Sequence, residues 1–148
     1  MIRGSCLCGR VTFSISGVIE EICSCHCSQC RKACGSAFGT IAVCLFDDFS
    51  YLTGTDLISS YVHTPNCTRR FCSSCGSNLP ILEDGDPFVG VPAGLLDDDP
   101  GMVVSEHIFV GSKAPWWDFD DGTPHYDEAS PSSSEKRALA IDILGRSK

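Results

Sequence analysis

A mainly β fold of short antiparallel strands is what this chain predicts, on three observations. Brief runs of alternating apolar and polar residues recur along it, turn sequences such as "TGTD" and "EDGDP" separate them, and in the first half only "SQCRKAC" can hold a helical turn or two. A body built of such pieces pairs its strands with near neighbours, mostly in antiparallel fashion.

Taken in order, "GRVTFSISG" sets Val11, Phe13 and Ile15 on one face of a strand, with small polar residues on the other. "SAFGTIAVCLF", "LISSYVHT", "TRRF", "PFVGVPAG" and "EHIFVG" read as further strands. "PWWDFDDGTPHYDEASPSSS" then reads as a long irregular loop pinned by one tryptophan. In "SPSSSEKRALAIDILGRSK", Ser132 stands three residues before Glu135 and Gly145 supplies a stop, which suits a short terminal helix, with a strand as the alternative.

At 148 residues the expectation is one domain spanning 1–148, large enough to bury its own core. The N-terminal "MIRGSCLCGRV" lacks the apolar stretch of a signal peptide, and the longest apolar run, Ile41 to Phe46, is far too short for a bilayer span. The expected location is therefore the cytoplasm, with no membrane partner. A formal charge of −8 argues against nucleic acid, whose phosphates need a basic surface.

Eleven cysteines would suggest disulfides in a secreted chain, but in a reducing compartment clustered cysteines point to metal. They form a CxC pair (Cys6, Cys8), a CxCxxC group (Cys25, Cys27, Cys30) and a CxxC pair (Cys72, Cys75), leaving Cys23, Cys34, Cys44 and Cys67 as singles. Tetrahedral zinc takes four ligands, so the two pairs make one closed, structural site of four thiolates. Gly76 supports the second knuckle, where the chain needs positive φ. The triplet then holds a second zinc with an open fourth position, the arrangement of catalytic zinc. The alternatives are that Cys23, Cys34 or His26 closes this second site, or that these are ordinary reduced thiols. His26 is expected to project away from the ligands, either supporting them from behind or lying on the surface, and Cys44 and Cys67 to pack as thiols. His63, His107 and His125 read as structural or surface residues, the last two near enough to the tryptophan loop to reach a site.

"GSCLCGRVTF", "CHCSQCRKACGSAF", "RRFCSSCGSNL" and "EHIFVGSKAPWWDFDDGTPHY" together resemble the successive landmarks of the glutathione-dependent formaldehyde-activating enzymes and their centromere-protein-V-like relatives, over about residues 3 to 126. Residues 127–148 lie beyond it as a C-terminal extension. The resemblance implies a β-tent fold, a structural zinc on Cys6, Cys8, Cys72 and Cys75, and a catalytic zinc on Cys25, Cys27 and Cys30. It also implies a carbon-sulfur lyase-type reaction joining formaldehyde to the thiol of glutathione to give S-hydroxymethylglutathione. The extra cysteines Cys23 and Cys34, which bracket the triplet, depart from the family pattern.

Zinc coordination would deprotonate an incoming thiol, which is mostly protonated at neutral pH, and hold it beside the aldehyde. Glutathione is an anion and the chain is acidic, so local cations must compensate: Arg31 with Lys32, or Arg69 with Arg70. Two other functions stand beside this one. A zinc-stabilised binding module needs no open position, and a thiol redox or metal sensor would use Cys23 and Cys34 as resolving thiols.

Overall fold

The computed structural model describes residues 1–65, 67–82, 85–131, 135 and 138. The expected helix start at Ser132 and stop at Gly145 lie outside them. Among the described residues the chain is mainly β, with ten short strands in three sheets and one complete α-helix, and Pro131, Glu135 and Ala138 are helical as well. The class read from the sequence is the one observed, and no described helix is long and apolar enough to cross a membrane.

The first sheet pairs β1 (Ile2–Ser5) with β2 (Thr12–Ile15) and β2 with β5 (Phe49–Thr53), all antiparallel. Phe13 and Ile15 point inward and are fully buried, as the alternation in "GRVTFSISG" requires. The second sheet has the order β10-β3-β4-β9, from β3 (Glu21–Cys25), β4 (Gly39–Leu45), β9 (Phe88–Pro92) and β10 (Glu106–Ile108). The third joins β6 (Ile58–Thr64), β7 (Cys67–Cys72) and β8 (Asn78–Leu79).

Two features depart from the sequence reading. β10 runs parallel to β3, pairing Glu106 with Cys23 and Ile108 with Cys25, because the whole chain between them carries it round to the same direction. The cysteine-rich "EICSC" is itself a central strand. Every residue of β3 is buried, so it lacks the polar face that marks a strand by alternation.

The main core gathers Phe13, Ile15, Ile22, Ala42, Cys44, Phe49, Val89 and Val91 between the first two sheets. Phe49 stands between Phe13 and Tyr51, with ring centroids 5.4 and 5.0 Å away. A smaller core, Cys6, Val11, Cys72 and Leu79, lies where the first and third sheets meet. Cys44 is packed as expected, while Cys67 is half-buried in β7.

The long loop is not pinned as the sequence suggests. Trp116 is 70% and Trp117 38% exposed, whereas Ala114 is fully buried and Phe119 stacks on the rings of His107 and His26. Phenylalanine, with no ring N–H to satisfy, is the less costly residue to lay over two buried imidazoles.

Candidate metal centres and their surroundings

The four paired cysteines meet at one point. Sγ of Cys6, Cys8, Cys72 and Cys75 all lie within 4.8 Å of one another, Cys6 to Cys8 at 3.5 Å and Cys8 to Cys72 at 4.0 Å. Tetrahedral zinc with bonds of about 2.3 Å sets its sulfurs about 3.8 Å apart, so the set fits such an ion. Local backbone prepares both halves. Gly9 and Gly76 adopt φ of 71° and 76°, and their N–H groups close tight turns onto the carbonyls of Cys6 and Cys72. The Leu7 N–H donates to Ser77 Oγ at 3.0 Å, tying one knuckle to the other. The Val11 N–H donates to Cys6 Sγ, and hydrogen bonds from Ser77 pull the Cys75 thiol down to about 6.

The second group is Cys25, Cys27 and Cys30, whose sulfurs also lie within 4.8 Å of one another. Cys25 ends β3, Cys27 caps the helix α1 (Ser28–Cys34) and Cys30 sits in its first turn, so a strand end and a helix start converge. Cys27 Sγ accepts the N–H of Cys30 at 3.3 Å, the role usually taken by a serine or aspartate oxygen. Gly35, with φ of 61°, ends the helix and donates to the Arg31 carbonyl. Charge is concentrated on Cys30. The hydrogen bond from Cys25 and the guanidinium of Arg69, 3.7 Å from its Sγ, hold its thiol down at about 5, and the same bond drives Cys25 upward.

These two cysteine groups can hold metal ions, and among the described residues they are the groups of three or more that can. Neither Cys23, Cys34 nor His26 shares the second one. Cys23 is buried within β3, and its thiol is pushed up to about 12 by that burial, then by Glu21 and Glu106. Cys34 is exposed, one turn after Cys30, and accepts from Asn78 Nδ2 at 3.8 Å.

Beside Cys30 lies a cavity of about 30 Å3, lined by Cys30, Cys34, Gly39, Arg69, Arg70 and Asn78 among others. That is room for about two water molecules. Of the four cations singled out in the sequence, Arg69 and Arg70 reach this cavity, and Arg70 donates to the Leu82 carbonyl. Arg31 donates to the His26 carbonyl at 3.2 Å, and Lys32 is exposed on α1.

On the opposite side of the Cys25–Cys27 turn, His26 is fully buried, which removes the surface alternative. Its Nε2 lies 2.9 Å from His107 Nδ1, and His107 Nε2 lies 2.9 Å from Asp121 Oδ2. His107 is 5% exposed and so is not a surface residue. Nothing in the spacing of His26, His107 and Asp121 announces this chain, because β10 and the loop after it bring the last two residues in from more than eighty positions away. His63 stays on the surface in β6, near Tyr61.

The model of the family described as glutathione-dependent formaldehyde-activating enzyme matches residues 1–112. No curated protein gives a significant match. Among solved structures, the crystal structure of a Rhodobacter sphaeroides protein is similar, with a TM-score of 0.55 and 22% identity over 66% of this chain and 89% of that one. That likeness is one of fold. Since the match takes in all seven clustered cysteines and three-quarters of the chain, this protein belongs to the glutathione-dependent formaldehyde-activating enzyme family.

Proposed function

We propose that the chain is a zinc enzyme of the carbon-sulfur lyase type, joining a thiol such as glutathione to an aldehyde such as formaldehyde. The observation that carries this reading is the difference between the two cysteine groups: four sulfurs complete one set, whereas three form the other beside a cavity with two arginines. On this reading Cys6, Cys8, Cys72 and Cys75 hold a structural ion and Cys25, Cys27 and Cys30 hold a catalytic one. Zinc bound at the triplet would supply the positive charge that keeps an incoming thiol deprotonated at neutral pH.

The chain's own groups do the rest. Arg69 takes up charge on Cys30 and faces the cavity, so it is placed to bind an anionic substrate while limiting the negative potential of the sulfurs. Arg70 is the second cation at that wall, and Arg31 and Lys32 remain candidates for a carboxylate at the outer face of α1. In the reaction the thiolate sulfur forms a bond to the carbonyl carbon, the π electron pair moves to oxygen, and that oxygen takes a proton equivalent to the one lost by the thiol. The small cavity suits the small reactant, with the larger thiol reaching in from solvent.

The test is to mix zinc-loaded protein with glutathione and formaldehyde and follow adduct formation against the uncatalysed rate. Acceleration that Cys27→Ser abolishes, with the fold retained, supports the reading. No acceleration over the uncatalysed rate refutes it, and unfolding of Cys27→Ser would make the triplet structural.

A further inference from the structure

The direction of the His26–His107–Asp121 chain follows from its outer end. Asp121 Oδ1 accepts the Thr123 N–H at 3.0 Å and Oδ2 faces His107 Nε2 at 2.9 Å. These contacts hold the Asp121 carboxyl well below the usual range, the Thr123 N–H first and His107 next. A carboxylate only accepts, so His107 Nε2 carries a proton, and with one proton on that ring its Nδ1 is a bare acceptor. His26 must then donate from Nε2. Its Nδ1 is left as an unprotonated lone pair, buried and with no hydrogen-bond partner.

His26 lies between Cys25 and Cys27, with its backbone fixed on both sides. Its N–H donates to the Ile108 carbonyl at 2.9 Å and its carbonyl accepts from Arg31 Nε. Phe119 stacks on the ring at 5.0 Å and Phe38 lies 5.2 Å from it. Ring orientation is therefore coupled directly to the turn that aims two of the three sulfurs. We propose that Asp121 and His107 lock His26 as its Nε2–H tautomer and that His26 is thereby a positioning residue for the Cys25–Cys27–Cys30 centre, setting how tightly that centre holds its ion. This rests on the reading of the triplet as a metal centre.

The chain makes an unusual demand at Asp121. In Asp121→Asn the amide has one acceptor for two donors. The Thr123 N–H cannot change its role, so the amide oxygen turns to it and the NH2 group faces His107. His107 must then carry its proton on Nδ1, His26 must accept at Nε2, and the His26 proton moves to a buried Nδ1 with no acceptor. His107→Gln does the opposite, because a glutamine amide can donate to Asp121 and accept from His26, preserving the direction.

The experiment uses the full-length zinc protein. Nitrogen-15 NMR of the imidazoles reads the tautomer, and zinc competition against a graded chelator reads the affinity of each centre. We expect His26 Nδ1 to resonate as an unprotonated nitrogen in the unaltered protein and in His107→Gln, and as a protonated one in Asp121→Asn. Asp121→Asn should lower zinc affinity at the triplet by about tenfold to a hundredfold while the four-cysteine centre is unchanged. If Asp121→Asn does not fold, the comparison of His107→Gln with His107→Leu carries the same test, with the loss expected only in the leucine variant. A proton on Nδ1 in the unaltered protein overturns the proposal, as does unchanged triplet affinity, or equal loss at both centres, in Asp121→Asn or His107→Leu. Uptake of one ion per chain by the unaltered protein would instead overturn the metal-centre reading itself, and the proposal with it.

Discussion

Arg69 lies 3.7 Å from Cys30 Sγ, reaching from β7 to α1 across the wall of the cavity. Thirty-nine residues separate the two, so the third sheet serves to bring a cation to a thiolate that the first half of the chain supplies. A charge-assisted hydrogen bond of this kind contributes about 1.5–3 kcal/mol. Arg69→Met should therefore lower kcat/KM for a thiol substrate by about tenfold to a hundredfold. Arg69→Lys should recover only part of the loss, because an ammonium lacks the flat fork that can serve a sulfur and a carboxylate together. Steady-state rates with glutathione and with an uncharged thiol separate the roles: a loss confined to glutathione assigns Arg69 to the substrate carboxylate.

On the proposed reading of the two cysteine groups as metal centres, removing the ion from the four-cysteine centre should unfold the protein, whereas emptying the triplet should not. The first centre joins the β1–β2 connection to the β7–β8 connection and abuts the small core of Val11 and Leu79. Structural zinc contributes on the order of 10 kcal/mol, comparable with the net stability of a domain. Cys72→Ser should give a chain without a cooperative thermal transition, and Cys27→Ser one that melts within a few degrees of the unaltered protein. Circular dichroism melts of the two variants check the contrast.

Much of this was legible in the sequence because the signals are local. CxC, CxCxxC and CxxC report short turns, and the alternation of Val11, Phe13 and Ile15 reports a strand with one apolar face, so the two sulfur groups and β2 follow directly, although Ser14 on the other face is buried too. The helix over "SQCRKAC" spans Ser28–Cys34 as expected. What was hidden depends on long-range assembly. β3 is buried on both faces and gives no alternation, and its parallel partner arrives more than eighty residues later. Likewise, the burial of His107 and the substitution of Phe119 for a tryptophan as the loop's anchor are decided by what lies opposite them in space. No periodicity encodes that.

Cys44 should make stability fall at alkaline pH. It is fully buried in β4, and burial, followed by the charges of Asp48 and Glu20, pushes its thiol up to about 12 from an ordinary value near 9. The folded chain thus keeps a proton that the unfolded chain gives up. Stability from this group is complete below about pH 9 and is lost as pH rises towards 12. Urea titrations from pH 8 to 11 should show a shallower alkaline decline in Cys44→Ala than in the unaltered protein, from a lower starting stability. In the folded state at pH 8 Cys44 should also resist alkylation; rapid labelling there would contradict its placement.

Gly4 and Phe13 should prove energetically coupled. They are register partners in the first sheet, and the Phe13 ring lies over the Gly4 Cα, so a Cβ at position 4 would collide with that ring and come within 2.7 Å of the Leu95 carbonyl. Gly4→Ala should cost about 1–3 kcal/mol through overpacking, although alanine normally suits a strand better than glycine. Phe13→Leu alone leaves space in the core and also destabilises. In the double variant the smaller side chain vacates the position the new methyl needs, so the combined loss should fall short of the sum by about 1 kcal/mol, within the range found for residues in contact. Relief remains partial because the Leu95 carbonyl does not move with Phe13. A four-member cycle of urea unfolding free energies measures the coupling, and strict additivity would mean that ring and glycine are not packed together.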